Sequence, residues 1–292
     1  MFRRKDGTLV PNVDPLFRII PIIMKERSDA QIFYSYDIPI KALEEYIEEK
    51  RKENINISYL HIVYAAIIRT IAKREKLNRF VMNGRVYKRN DIILTMTAKK
   101  SLSDDAPETN LKIKFKGNET VEEVKDLLNK EIENFKVKDN LNEQDKFVDI
   151  VGGLPFWLFK LGVNTLMRMD KWNMLPKPIL DLSPFHSSAY VTNVGSIGID
   201  SIYHHIYNFG TVGIFLAMGK KKKTLIYEDD VLKEEKAISF SFVLDERICD
   251  GYYFANSIRM FNKYLKNPHL LDKNEDIEEN VEDILEQVAP KE

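Results

Sequence analysis

An α/β fold, with helices laid over a sheet, is what this sequence predicts, and two features predict it. The stretch Leu60 to Lys73 is apolar almost all round, with Ile62, Val63, Ala65, Ala66, Ile67, Ile68 and Ile71. A helix of that kind is buried on most faces and calls for a sheet to pack on. Two types of strand supply the sheet. Val212 to Met218 is a continuous apolar run, as in the centre of a sheet. Ile238, Phe240, Phe242 and Leu244 alternate with Ser239, Ser241 and Val243, the period of a strand.

The other elements follow in chain order. Lys41 to Lys50 carries Leu43, Tyr46 and Ile47 at helical spacing. Ser58 is placed to cap the apolar helix. Phe80-Val81-Met82 and Arg85-Val86-Tyr87 flank Asn83-Gly84, the pair that suits a type I′ hairpin turn. Ile92 to Thr97 reads as a strand, and Leu111 to Phe115 as a half-exposed one. Thr120 to Phe135 is an amphipathic helix, with Val121, Val124, Leu127, Leu128, Ile132 and Phe135 facing inward. The polar run Lys136 to Lys146 is a loop or the start of an insertion. Ala189 to Val194 is a strand, and Tyr252 to Lys266 a helix with Phe254, Ile258, Phe261 and Leu265 on one face. Lys220 to Lys223 reads as a solvated turn, a phosphate contact being the alternative. The acidic tail, 274–292, has a helical stripe of Ile277, Val281, Ile284, Leu285 and Val288. No Pro/Gly/Ser-rich linker divides the chain, so a single domain over 1–292 is expected.

Residues 147–169 test the reading of a soluble protein. They hold few charges, Asp149, Lys160 and Arg168, but Gly152, Gly153, Pro155 and Gly162 interrupt them. A spanning helix needs about 20 mostly apolar residues, so the segment is borderline. A buried or interface helix is the plain reading; a membrane-surface helix or a lid over a pocket remains open.

Composition excludes several classes. Lys+Arg is 44 and Asp+Glu 45, a net charge of −1, which argues against a broad nucleic-acid footprint. With Cys249 the one cysteine, neither an intrachain disulfide nor a cysteine metal cluster is expected. No apolar stretch follows the basic residues at the N-terminus, which favours the cytoplasm. Neither a Gly-rich nucleotide loop nor an H-E-x-x-H zinc motif is present. Adjacent His204 and His205 point different ways on a regular element and make a poor metal pair. His61 suits a core position, and His269 a surface helix end. His186, in Ser183-Pro-Phe-His-Ser-Ser188, is the histidine whose context suits a site.

Three stretches together resemble a known family. The first runs from Ile32-Phe-Tyr34 through Ile57-Ser-Tyr-Leu-His-Ile-Val-Tyr-Ala-Ala66 to Leu77-Asn-Arg79. The second is Tyr190-Val-Thr-Asn-Val-Gly-Ser-Ile-Gly198, similar to T-I-S-N-L-G-x-x-G, with Ala217-Met-Gly-Lys220 downstream. The third is Asp245-Glu-Arg-Ile-Cys-Asp-Gly251, similar to D-H-R-x-x-D-G. Their order and spacing, over roughly residues 15–270, resemble the catalytic domain of the 2-oxo acid dehydrogenase acyltransferases, the dihydrolipoamide acyltransferases folded like chloramphenicol acetyltransferase.

The resemblance implies an α+β two-layer sandwich with a mixed β-sheet covered by helices. It implies coenzyme A or acyl-CoA as cosubstrate, no metal, and a homotrimer with its active sites at subunit interfaces. In the family the motif histidine removes a proton from a thiol or hydroxyl, and a hydroxyl in the T-I-S-N segment stabilises the oxyanion. Thr192 aligns with that hydroxyl, beside Asn193. Asp250 aligns with the aspartate that organises the site, and Arg18 is a candidate partner for it. Each has a plainer reading: Thr192 as a strand residue, Asp250 as a helix cap, Arg18 as a surface charge.

The departures matter as much. Glu246 stands where the family has its histidine, next to Arg247. A glutamate near pKa 4.3 is a poor match for a thiol near 8.5 unless burial raises it; Tyr252, Tyr253 and the aromatics of the insertion at about 136–180 are candidates to bury it. His186 is the alternative base. Residues 101–107 depart from the family's D-G-L-x-x-P-V segment, and neither a lipoyl nor a subunit-binding domain is recognised. Two expectations stand. One is a CoA-dependent acyltransferase with an unknown acceptor, using Glu246 or His186, Thr192 and Asp250. The other is an inactive trimeric scaffold whose 147–180 segment binds a partner or a membrane surface.

Overall fold

The computed structural model describes residues 4–99, 108–137, 153–228 and 231–274. Its main sheet is built from β2 (Gln31–Pro39), β5 (Ile92–Lys99), β6 (Glu108–Phe115), β7 (Ala189–Asn193), β8 (Ile214–Glu228) and β9 (Val231–Asp245), in the order β2-β9-β8-β7-β5-β6. β7 runs parallel to both β5 and β8, and the other pairs are antiparallel. The sheet is therefore mixed, as expected. A second sheet joins β1 (Gly7–Leu9), β4 (Arg85–Arg89) and β3 (Arg79–Met82), in the order β1-β4-β3. Asn83 and Gly84 turn β3 into β4 with φ of 49° and 69°, the positive angles that a type I′ turn requires.

Alternation along the strands separates two faces. Val191, Leu216 and Phe242 point to the helices, where they join Leu94 and Ile113 in the main core. Tyr190, Phe215 and Val243 point the other way and pack on Ile206 and Val212. On the first face lie α2 (Lys41–Lys52), α3 (Tyr59–Lys73), α4 (Val121–Val137) and α7 (Gly251–Lys266). Helix α3 is buried along most of its length, including Ile62, Ala66 and Ile68, because its apolar residues meet the sheet on one side and α4 and α7 on the other. Ser58 is its N-cap, and His61 Nδ1 accepts the Ser58 backbone N–H at 3.2 Å. His61 is thus a satisfied core residue.

Two readings of the sequence are corrected. Lys220 to Lys223 form no turn: they continue β8 into a long hairpin with β9. The run is tolerated there because Lys221, Lys222 and Lys223 each have an anion on a neighbouring element. Lys222 reaches Asp37 at 3.1 Å and Asp200 at 2.9 Å, and Lys223 reaches Glu234 at 2.7 Å. Nor is the segment within 147–169 buried in its own chain, which leaves the interface half of that reading. Its described part is α5 (Phe156–Lys171), whose first turns stand in solvent, with Phe156 77% and Trp157 69% exposed. Helix α5 docks at its far end, where Asp170 is buried, and leads into α6 (Lys177–Leu182). Among the described residues, no helix is long and apolar enough to cross a membrane. A further helix, α1 (Pro15–Ile23), was not apparent in the sequence. The departure at 101–107, the residues 138–152 and the tail beyond 274 lie outside the described residues.

Candidate active site

Two of the sequence motifs meet through their glycines. Gly195, just after β7, lies so close to β8 that a Cβ on it would stand 2.3 Å from the Gly219 carbonyl oxygen. A Cβ on Gly219 would stand 2.4 Å from the Ser201 backbone nitrogen. Neither position has room for a side chain, which explains glycine in both Asn-Val-Gly and Met-Gly-Lys. The Asn193 side chain accepts the Ser196 N–H at 3.2 Å and tightens the same turn. Asn193 therefore supports the loop that follows Thr192.

Thr192 sits at the end of β7, half-buried. Its Tyr190-type alternation puts it on the face away from the helices. Its hydroxyl has no hydrogen bond among the described residues, so it is free to donate to a ligand.

The Asp245–Gly251 segment is a rigid turn. Asp245 is fully buried. Arg247 grips it from Nε at 2.8 Å and Nη2 at 2.7 Å, and donates its backbone N–H at 3.1 Å. Arg27 adds a weaker contact at 3.4 Å. The two guanidiniums also hold backbone carbonyls: Arg247 those of Met24 and Lys25, Arg27 those of Tyr207 and Gly210. Buried charges persist only when paired and hydrogen-bonded in this way. The Glu246 backbone N–H donates to the Ala30 carbonyl at 2.8 Å, while its side chain is exposed. Glu246 is thus held out from a fixed turn. Tyr252 is 75% exposed, and Tyr253 lies under the Arg74 guanidinium at 3.6 Å from the ring centroid. Within one chain these tyrosines do not bury Glu246.

Asp250 caps α7, accepting the Tyr253 N–H at 2.8 Å. The pairing expected between Asp250 and Arg18 is not formed. Arg18 is exposed on α1, and the N-terminal arginine that reaches the motif is Arg27, on Asp245. Sequence reading missed Arg27 because a lone arginine between Glu26 and Ser28 carries no periodicity; only the fold brings it to Asp245.

His186 is 1% exposed. One ring nitrogen pairs with Ser183 Oγ at 2.7 Å and the other with Asp170 at 3.1 Å. Burial lowers its pKa, so it sits neutral in a cluster with Asp170, Arg4 and Asp6. At 1% exposed, with Asp170 on its Nε2, it anchors the end of α5. Burial likewise pushes the Cys249 thiol well up, which removes it as a nucleophile. His204 stacks on Phe215, centroids 4.4 Å apart, while His205 turns to Tyr207. Among the described residues no group of three or more His, Cys, Asp and Glu side chains is placed to hold a metal ion.

The strand register separates Thr192 from Glu246. Thr192 pairs with Ala217, and Ala217 with Ser241. From Ser241 to Asp245 is four residues of strand, about 14 Å at ~3.4 Å per residue, and Glu246 lies beyond. One chain therefore does not bring the two side chains onto a single reacting carbonyl.

No curated protein matches the chain. Among solved structures, it is similar to a probable dihydrolipoamide acetyltransferase from Listeria monocytogenes, at 12% identity and a TM-score of 0.55, covering 93% of this chain and 99% of that one. It is similar to the cubic core of the pyruvate dehydrogenase multienzyme complex, at 11% identity and a TM-score of 0.52, covering 90% and 93%. The dihydrolipoamide acetyltransferase of Azotobacter vinelandii gives the same values. At these identities the likeness establishes the fold. Residues 185–272, which include both the Thr192 and the Glu246 motifs, match the family model of the 2-oxoacid dehydrogenases acyltransferase (catalytic domain), and the chain around them takes the fold of that family's solved cores.

Proposed function

We propose that this chain is a coenzyme A-dependent acyltransferase whose active sites form between subunits of a homotrimer. The observation that carries the reading is the position of Glu246: it projects from the family motif on a rigid turn, too far from Thr192 of its own chain to share a substrate. A second copy solves both halves of the problem. It supplies Thr192 opposite Glu246, and it covers the carboxylate. A carboxylate withdrawn from water is a stronger base than one in solution. Serine, histidine and asparagine have been tested for roles in the mechanism of the Azotobacter enzyme; Thr192 and Glu246 here take the places of the hydroxyl and the imidazole.

In this mechanism Glu246 accepts the proton of the acceptor thiol or hydroxyl as it attacks the thioester carbonyl. The Thr192 hydroxyl donates to the tetrahedral oxyanion. Collapse expels the coenzyme A thiolate, which takes the proton back from Glu246. Asp250 fixes the start of α7 behind the turn, and Arg247 fixes Glu246 through Asp245. We read the chain as a single cytoplasmic domain with an insertion at about 136–180.

The test is release of free thiol from a series of acyl-CoA thioesters, with and without small thiol and alcohol acceptors. Glu246→Gln is expected to lower kcat by about 100-fold or more while the chain stays folded. Unchanged turnover removes Glu246 from the mechanism. The second reading, a trimeric scaffold without catalysis, is favoured by the exposure of Glu246 in the single chain and by the exposed apolar start of α5, a contact surface for a protein or membrane partner. A trimer that binds coenzyme A yet turns over no acyl-CoA decides for the scaffold.

A further inference from the structure

A second pocket lies on the sheet face opposite the helices, at the β5–β6 edge. From β9 to β6 the sheet order counts four strand spacings, about 19 Å at ~4.8 Å each, so this pocket does not belong to the Glu246 turn. Its volume is about 240 Å³, below the usual range of about 300–1,000 Å³ for drug-sized ligands. It suits a small polar group.

Its lining is cationic. Lys5, Arg89, Lys112, Lys114 and Lys177 face it, against Asp6, Asp91 and Asp181. Each carboxylate already has a cation: Asp6 holds Arg4 at 2.6 Å, Asp91 holds Lys114 at 2.6 Å, and Asp181 holds Lys177 at 3.5 Å. Arg4 is shared with Asp170 at 2.8 Å and Arg89 reaches Asp6 only at 3.6 Å, which leaves Lys112 and Lys5 in excess. His186 also lines the pocket, with Nε2 on Asp170 at 3.1 Å.

The two deepest cations have capacity to spare. Arg89 is 3% exposed. Its Nη2 donates to the Thr211 carbonyl at 3.0 Å and hydroxyl at 2.6 Å. Its Nη1 is buried, makes no hydrogen bond, and lies 3.6 Å from the nearest carboxylate oxygen, on Asp6. A buried guanidinium donor left unmade is unfavourable unless a ligand completes it. Lys112 donates to the carbonyls of Leu180 at 2.6 Å and Ser183 at 3.1 Å. Two of its three donors are thereby used, and the third remains. Burial and the nearby charge of Arg89 lower Lys112 to about 8. Asp6 and Asp181 offset only part of that, and among the described residues Lys112 has no carboxylate in ion-pair contact.

We propose that this pocket binds a phosphate group, as inorganic phosphate or as the end of a small phosphomonoester, gripped by Arg89 and Lys112 with Lys5 and Lys177 at the rim. A tetrahedral oxyanion supplies several acceptors at once, where a chloride supplies one point charge. The site is independent of acyl transfer and is read by binding alone.

The experiment is calorimetric titration of the 292-residue chain at constant ionic strength. The ligands are inorganic phosphate, glycerol 3-phosphate and, as control, chloride. Submillimolar binding of phosphate over chloride is expected. Lys112→Met is expected to weaken it roughly tenfold or more, the worth of a charge-assisted hydrogen bond. Because Lys112 also tethers α6, the exposed rim variant Lys177→Gln is tested alongside; it leaves the fold intact and weakens binding about twofold to fivefold. Glycerol 3-phosphate binding with the same dependence on both lysines identifies a phosphomonoester site; phosphate binding alone identifies a free-anion site. No preference for phosphate over chloride overturns the proposal, as does phosphate binding that neither variant weakens.

Discussion

Asp245 and Glu246 are adjacent carboxylates with opposite surroundings, and the difference divides their roles. Asp245 is fully buried between Arg27 and Arg247; Glu246 stands in solvent. Asp245→Asn leaves two buried guanidiniums without their counter-charge, and the loss expected is about 3–5 kcal/mol of stability. Glu246→Gln removes nothing buried within one chain, and the unfolding free energy of the single chain should stay within about 0.5 kcal/mol of the parent. Urea unfolding of the two variants checks both figures, and similar stabilities for the two would mean that the ion pairs do not hold the turn. His61 gives a pH signature at the same scale. Burial lowers its pKa from 6.5 to about 4, with Lys125 adding to the effect, while Nδ1 accepts the Ser58 N–H. A depressed pKa means that the unfolded chain binds the proton first. The stability contributed is therefore complete above pH ~6.5 and is lost as pH falls toward ~4, up to roughly 3 kcal/mol. His61→Gln should flatten the stability curve in that window; an unchanged slope would assign it to other groups.

Among the elements, those with strong periodicity or distinctive turn residues were legible in the sequence. The all-apolar α3 with its Ser58 cap, the Asn83-Gly84 hairpin and the alternating β9 all announce themselves by local pattern. The lysine run did not, because strand β8 tolerates it through Asp37, Asp200 and Glu234 on other elements. The α1 helix carries Pro15 and Pro21 and buries little, so no inward stripe marks it. In the candidate site, the motifs located Thr192 and Glu246, but not Arg27, whose partner is 218 residues away. The glycines separate the same way. Gly195→Ala must push its Cβ against the Gly219 backbone at 2.3 Å. Backbone cannot yield as a flexible side chain does, and the strain of overpacking, about 1–3 kcal/mol or more, should lower the melting temperature and displace Thr192. Gly162, inside α5, has nothing within 4 Å of its Cβ position and no positive φ. Gly162→Ala should stabilise by about 0.5–1 kcal/mol through helix propensity. Thermal unfolding of the pair tests the contrast, and destabilisation by Gly162→Ala would mean that the α5 surface is covered in the assembled protein.

At the level of the whole molecule, the proposed mechanism needs more than a single copy. The edge strand β2 presents Phe33, 55% exposed, and Tyr34, 44% exposed, and large apolar residues at a sheet edge invite a neighbour. Thr192 and Glu246 lie on different parts of the sheet, and the register keeps them at least about 14 Å apart. Pattern reading placed both residues by motif, but it carries no information on which copy of the chain supplies each, since that is a property of the assembly. Mixing two crippled variants reads it out. In Thr192→Val every site lacks the proposed oxyanion donor, and in Glu246→Gln every site lacks the proposed base; each alone should be inactive. When the two are unfolded together, mixed in equal amounts and refolded, an interface takes its threonine from one copy and its glutamate from another. Half of the copies hold an intact threonine and half an intact glutamate, so about a quarter of interfaces carry both in a cyclic assembly. Activity should return to about a quarter of the parent level for a random mixture, with each variant refolded alone staying dead. A mixture that remains inactive, from parent protein that is itself active after the same treatment, would place both groups in one chain and require Glu246 to move toward Thr192 during turnover.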